Sequence, residues 1–407
     1  MNLKKIMIGD HCIVTSSKRF HLSERVESGI PFYRSKEIIQ KFKGEVVTEC
    51  DYIPIDEYAN IERQFGAPRV GDLLLTTRGT YGVPYVYKEN DCFYFADGNI
   101  TWFKDFDESL NSKYLYYWFQ SYEGYQKVDA IAKGTAQKAV PITTLKQLEL
   151  YTPIIDLQNK IVNILSAYDS LIENNQKQIK LLEEAVQRLY KEWFIDLRFP
   201  GYENVEIVDG VPEGWNINRA DHYFKITIGK TPSRAEKQWF ANSGEGTPWI
   251  SISDMGEAGA FAFYSKEDLT AEAIVRHNMK VVPKGSVLVS FKLTVGRVAI
   301  TGIDMCTNEA IAHFYIDNDL DRAYTYCYLK NCEYDSLGNT SSISKAINSK
   351  IIKSMSFIMP SRDILEQFSM IVQPILNQIE LKQKMIFRLT EARDRLLPKL
   401  MSGEIEV

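Results

Sequence analysis

The residues whose types could carry reactions in this 407-residue chain do not fall into reactive spacings. The run IGKTPS at 228–233 contains Gly-Lys-Thr, the ending of a phosphate-cradling loop. That loop also needs a glycine five places before Gly229, so that backbone N–H groups can reach the phosphates; Phe224 stands there. No Gly-x-Gly-x-x-Gly turn offers a nucleotide seat, and no Asn/Asp-Pro-Pro-aromatic run offers a pocket for an extruded base. The histidines are His11, His21, His222, His277 and His313, with no i,i+4 pair to grip zinc. His11 and His222 each follow an aspartate and read as hydrogen-bonded core or strand-end residues. Six scattered cysteines with no Cys-x-x-Cys suit reduced thiols in a cytosol. The expectation is therefore no catalytic residue, no metal and no cofactor held by this chain.

The elements behind these residues are repeated. Aligning 137–196 with 344–403 at a constant offset of 207 gives 16 identities in 60 positions without a gap. They include Lys138/Lys345, Pro153/Pro360, Asp156/Asp363 and Gln176/Gln383. Upstream, GDLLLTTRGTYG (71–82) parallels GSVLVSFKLTVG (285–296), and IPFYRSKEI (30–38) parallels TPWISISDM (247–255). Each half is one divergent α/β domain followed by one better-matched helix. The expected boundaries are 1–155, helix 156–198, linker and domain 199–362, and helix plus tail 363–407. The net charge of −5 speaks weakly against a polyanion partner, although one basic face can coexist with an acidic remainder. No apolar run is long enough to cross a bilayer, and MNLKKIMIGDHCIV shows no cleavable signal pattern, so the expected compartment is the cytoplasm.

Both helices keep strict 4-3 apolar spacing. The first seam is Ile161, Leu165, Tyr168, Ile172, Asn175, Ile179, Leu182, Val186, Leu189 and Trp193. The second is Phe368, Val372, Ile375, Ile379, Lys382, Ile386, Leu389, Leu396 and Leu400, with Arg393 filling the remaining place. A 3.5-residue period sustained this long predicts a coiled coil, here antiparallel. Asn175 and Lys382 interrupt the seams at the same heptad position and are expected to face each other and fix register. Asp156 and Asp363 are expected as N-caps. Pro374 should bend the second helix or delay its start. VPYVYKENDCFYFA and RVAITGIDMC read as strand–turn–strand; SKYLYYWFQSYEGYQKV and DRAYTYCYLKNCEY read as aromatic-rich helices. The stripe Tyr114, Tyr117, Trp118 reads as core. FPGYENVEIVDGVPEGW is expected as a linker.

This order of domains, the helix endings LYKEWFIDLRFPGYE and LLPKLMSGEI, and the pre-helix runs GTAQKAVPITTLKQLELYTP and SSISKAINSKIIKSMSFIMP together resemble the specificity subunit of a type I restriction–modification enzyme. The likeness spans essentially the whole chain. The second pre-helix run departs in reading Ser-Ser-Ile-Ser-Lys where the first has Gly-x-x-Gln-Lys, so no role is carried to Ser344. The resemblance implies two target-recognition domains, each reading half of a bipartite asymmetric site in double-stranded DNA. It implies paired helices that set the gap and dock two modification subunits, which bind S-adenosylmethionine. It also implies two restriction subunits using ATP and Mg. The rival reading is a coiled-coil scaffold holding two ligand domains without DNA.

Candidate DNA contacts are cations and one aromatic in loops or at strand ends near Gly, Ser or Thr. In the first domain they are Lys18, Arg19, Arg34, Lys36, Arg78, Tyr81, Lys133 and Lys138. In the second they are Lys230, Arg234, Lys237, Lys292, Arg297 and Lys345. Arginine can grip guanine with two hydrogen bonds, while lysine more often holds phosphate.

Overall fold

The computed structural model describes residues 3–21, 25–134, 138–337 and 347–407. The chain divides into two compact units, Met1–Glu173 with Phe387–Val407, and Asn174–Ile386. Each contains one mixed α/β head and one stretch of each long helix.

The first unit has a four-stranded sheet in the order Ile13–Thr15, Ile100–Lys104, Leu73–Thr76, Pro84–Val86. A second sheet places Ile30–Tyr33 between Asp51–Ile53 and Tyr94–Phe95. Lys4–Met7 pairs antiparallel with Glu149–Thr152 just before the first long helix. The second unit repeats the plan. Ile226–Ile228, Ile311–Phe314, Val287–Ser290 and Val298–Thr301 form the matching sheet, extended by Phe261–Ala262. Thr247–Ile250 pairs antiparallel with Glu267–Leu269 and parallel with Cys306–Thr307. Asn216–Arg219 pairs with Ser356–Met359 before the second long helix.

Two local expectations change. The two strand–turn–strand runs do each hold two strands, but these join different sheets: Pro84–Val86 and Tyr94–Phe95 do so, and so do Val298–Thr301 and Cys306–Thr307. Short apolar runs mark strands but do not choose their neighbours. The first aromatic run breaks at Ser121 into helices Ser112–Gln120 and Tyr122–Ile131, because the Ser121 hydroxyl accepts the Gly124 N–H at 3.1 Å and caps a new start. A Cβ at Gly124 would lie 1.9 Å from the Trp118 carbonyl, so only glycine lets the corner close. Tyr114, Tyr117 and Trp118 are all buried. The expected linker is an ordered part of the second unit: Ile207–Val208 pairs with Val211–Pro212, and Phe199 packs on Trp215 at 5.2 Å.

The long helices run Ile155–Tyr190 and Arg362–Ser402, about 54 and 62 Å at 1.5 Å per residue. The first widens at Lys191–Ile195 into a π-helical turn. All twenty seam positions named above, Arg393 included, are buried or half-buried. In the first unit Arg393 reaches Asp169 at 2.7 Å and the Lys160 ammonium lies 3.4 Å from the Val407 carbonyl. In the second, Asn175 lies 3.7 Å from the Met385 sulfur, Lys382 bonds Gln178, and Tyr190 and Trp193 pack on Phe368. Numbers rise on one helix as they fall on the other, so within each unit the pairing is antiparallel.

Asn175 and Lys382 therefore do not face each other. The repeat offset carries one contact onto the other, since 385 − 207 = 178 and 175 + 207 = 382. Equal heptad positions need not meet across an antiparallel pair; here each polar residue meets a position three places along. Asp156 and Asp363 lie inside the first turns, where a carboxylate still favours the helix dipole, while the Ile154 and Ser361 carbonyls accept the first helical bonds. Pro374 neither delays nor ends the helix. It is exposed, as is Met370, whose carbonyl lacks the N–H a proline cannot give, so solvent can satisfy it.

Candidate nucleic-acid interface

In the first unit one turn gathers the basic segments. The run Ala96–Asn99 separates Tyr94–Phe95 from Ile100–Lys104, with Gly98 at φ 71° making the Asp-Gly-Asn bend. The Asn99 carbonyl accepts the Thr77 N–H at 2.8 Å and the Ser35 hydroxyl at 3.3 Å. The Asp97 carboxylate holds Arg19 at 2.8 Å, and the Gly98 N–H reaches the Ser16 hydroxyl at 3.4 Å. Lys18–Arg19, Arg34–Lys36 and Arg78 are thus drawn together from three distant stretches. Sequence reading missed this hub; its signal was the bend motif in FADGN.

Beside it, a second stitch ties Lys133, Ala139 and Val140 to the same loop. Lys133 and Ala139 exchange backbone hydrogen bonds at 2.8 Å each, and the Val140 N–H donates to the Thr77 carbonyl at 2.9 Å. Asp129 accepts from the Tyr81 hydroxyl and lies 3.0 Å from the Lys138 ammonium. The Tyr81 and Lys138 hydrogen bonds hold the Asp129 carboxyl below its ordinary range; Asp129 in turn raises Lys138, which stays fully charged. Sequence reading selected Tyr81 and Lys138 but not the acid that orients both.

The candidates differ in how far they are committed. Lys36, Arg78 and Lys133 are exposed and make no ion pair among the described residues. Arg34 shares Asp51 with Arg25. The Lys18 ammonium sits 4.7 Å from the Phe65 ring centre.

The second unit builds the same hub at Thr307–Ala310. The Thr307 carbonyl accepts the Lys230 N–H at 3.0 Å and the Ala310 carbonyl accepts the Phe291 N–H at 2.9 Å. Gly229 must be glycine, because a Cβ there would lie 2.1 Å from the Asn308 carbonyl. The Lys230 ammonium lies 3.3 Å from the His277 and Asn278 carbonyls. Arg234 pairs with Glu267 at 2.5 Å and stacks over Phe240 and Trp249. Lys237 and Lys292 are exposed. Arg297 turns inward, bonding the Ile252 carbonyl against Gly256, so it is a brace and not an outward cation. Lys345 lies outside the described residues. Among the described residues no group of three His, Cys, Asp or Glu stands together as a metal site, and no helix is long and apolar enough to cross a membrane.

Comparison with known proteins agrees with this duplicated plan. Residues 2–184 and 212–391 match the family model described as the type I restriction modification DNA specificity domain. The chain is 28% identical over 363 residues to the type I restriction enzyme MjaIX specificity subunit of Methanocaldococcus jannaschii, covering 83% of this chain and 78% of that one. It is 26% identical over 353 residues to the HindI specificity subunit of Haemophilus influenzae, covering 69% and 74%. The crystal structure of a type I restriction–modification S subunit from M. genitalium shares the fold at a TM-score of 0.61 and 18% identity, over 98% of this chain and 96% of that one.

Proposed function

The chain belongs to the type I restriction modification DNA specificity family, and on that premise we propose that its two heads, residues 1–155 and 199–362, each read one half of a bipartite, asymmetric DNA site. Such a subunit supplies sequence specificity and leaves catalysis to its partners. The observation that carries the half-site reading is the hub built twice, at Ala96–Asn99 and Thr307–Ala310, with cations that differ between the copies. One scaffold with different side chains is what two different half-sites require. In the first head Lys36, Arg78, Lys133 and Lys138 supply phosphate grip and base contact, with Tyr81 beside them. In the second Lys230, Lys237 and Lys292 do so.

The paired helices act as spacer and docking platform for two modification subunits, to which two restriction subunits add. S-adenosylmethionine, ATP and Mg belong to those partners, and the assembly works on DNA in the cytoplasm. Mapping methylated adenines across the host genome, with and without this gene, tests the reading: a two-part motif should vanish with the gene. Methylation unaffected by its loss would favour the scaffold reading.

Two further outcomes are expected. Removing one heptad from each long helix takes out about 10 Å, so the gap in the methylated motif should shorten by about three base pairs. An unchanged gap would rule helix length out as the ruler. Replacing Lys138 with alanine should lower the slope of log affinity against log salt by about 0.9, with base preference intact. A slope equal to that of the unaltered protein would mean that Lys138 stays with Asp129 and never meets phosphate.

A further inference from the structure

The loop Ser290–Gly296 is the counterpart of Thr76–Gly82 in the first unit. Both turn through a left-handed residue at the same place, Gly79 at φ 71° and Leu293 at φ 63°. Both close on a left-handed glycine, Gly82 at 81° and Gly296 at 84°. Glycine holds the first of these positions without steric conflict, whereas the Cβ of leucine crowds its own carbonyl. Leucine gains no burial in return, for its side chain is 89% exposed.

The loop is nevertheless tightly braced. The Ser290 hydroxyl donates to the Thr294 carbonyl at 2.6 Å and accepts the Arg297 N–H at 3.0 Å; the Gly296 N–H donates to the Ser290 carbonyl at 2.9 Å. Leu293 is therefore held out into solvent by design of the loop, next to the exposed Lys292, which stands where the first head has Arg78.

We propose that Leu293 is an apolar probe that enters a groove of the duplex and packs on the bases of the half-site read by the second head, while Lys292 holds a neighbouring phosphate. This rests on the DNA-reading function above and names a specificity-determining residue for it. Apolar side chains pressed against base steps are an established way of reading a duplex without hydrogen bonds. The first head has Gly79 at this place and no such probe, so the two half-sites are treated differently at equivalent points of one scaffold.

The test uses the full chain assembled with its modification subunits, and duplexes carrying the site mapped by adenine methylation. Leu293→Gly should leave Tm unchanged or raise it, since the backbone there suits glycine. It should weaken binding about tenfold, a loss of about 1.4 kcal/mol, and relax base preference in one half-site alone. The salt slope should stay as it was, because no charge is removed; Lys292→Ala should instead flatten it by about 0.9. Binding within twofold of the unaltered protein, with base preference intact, overturns the proposal. So does a loss traced to failed assembly with the modification subunits, which would make Leu293 a protein contact. If the unaltered assembly binds no duplex, the DNA-reading function itself fails and takes the probe with it.

Discussion

Replacing Phe368 with alanine should destabilise the second unit by about 3–5 kcal/mol, the usual cost of emptying a fully packed phenylalanine site. Phe368 is fully buried at the first seam position of the second long helix. Its ring lies 4.9 Å from Phe194, edge to face, 5.8 Å from Trp193 and 6.4 Å from Tyr190. These three close the end of the first long helix, so the cavity would open where the two helices and the head core converge. Denaturant unfolding followed by tryptophan emission should show a lower midpoint at unchanged slope. Phe368→Leu should recover more than half of the loss, because much of the volume returns. A cost below about 1 kcal/mol for the alanine variant would mean that the neighbouring rings collapse into the gap.

Acid should weaken the second unit through His313. This imidazole is fully buried in the strand Ile311–Phe314, with Nδ1 2.9 Å from the Thr227 hydroxyl and Nε2 2.6 Å from the Thr307 hydroxyl. Burial away from solvent pushes its pKa down from 6.5 to about 3. Between those values the unfolded chain takes up a proton that the folded chain refuses. The stabilisation is complete above pH 6.5 and is lost as pH falls toward 3, by up to about 1.4 kcal/mol per pH unit and roughly 4–5 kcal/mol in all. Comparison with His313→Gln isolates it from the carboxylates: the variant should be the less stable protein at pH 7.5, and the difference should shrink steadily toward pH 4. A difference that stays constant over that range would mean that folded and unfolded chains protonate His313 alike. Thr307 also presents the carbonyl that fixes Lys230, so acid should loosen the second hub before the first.

How much of this was legible beforehand follows from the range of each signal. The duplication, the long helices and the twenty seam positions are written in local periodicity, and the structure places every one of those positions out of full solvent. The 4-3 stripe did not include Ile364, Leu365, Leu376, Leu397 and Met401, which are buried because the second long helix also joins the head cores. The catalytic spacings missing from the sequence are equally a local matter, and family membership accords with a subunit that directs chemistry done elsewhere.

What the amino-acid order determined by itself was therefore the repeat and its apolar stripes, since period and identity can be read without knowing any partner. Only the folded chain decided the rest. It set Asn175 against Met385 and Lys382 against Gln178, sent successive strands into different sheets, tied Lys138 to Asp129 and turned Arg297 inward. Each of these depends on which groups meet across the fold. Charge and hydrophobicity say what a side chain prefers, but the geometry of closure says which partner is within reach.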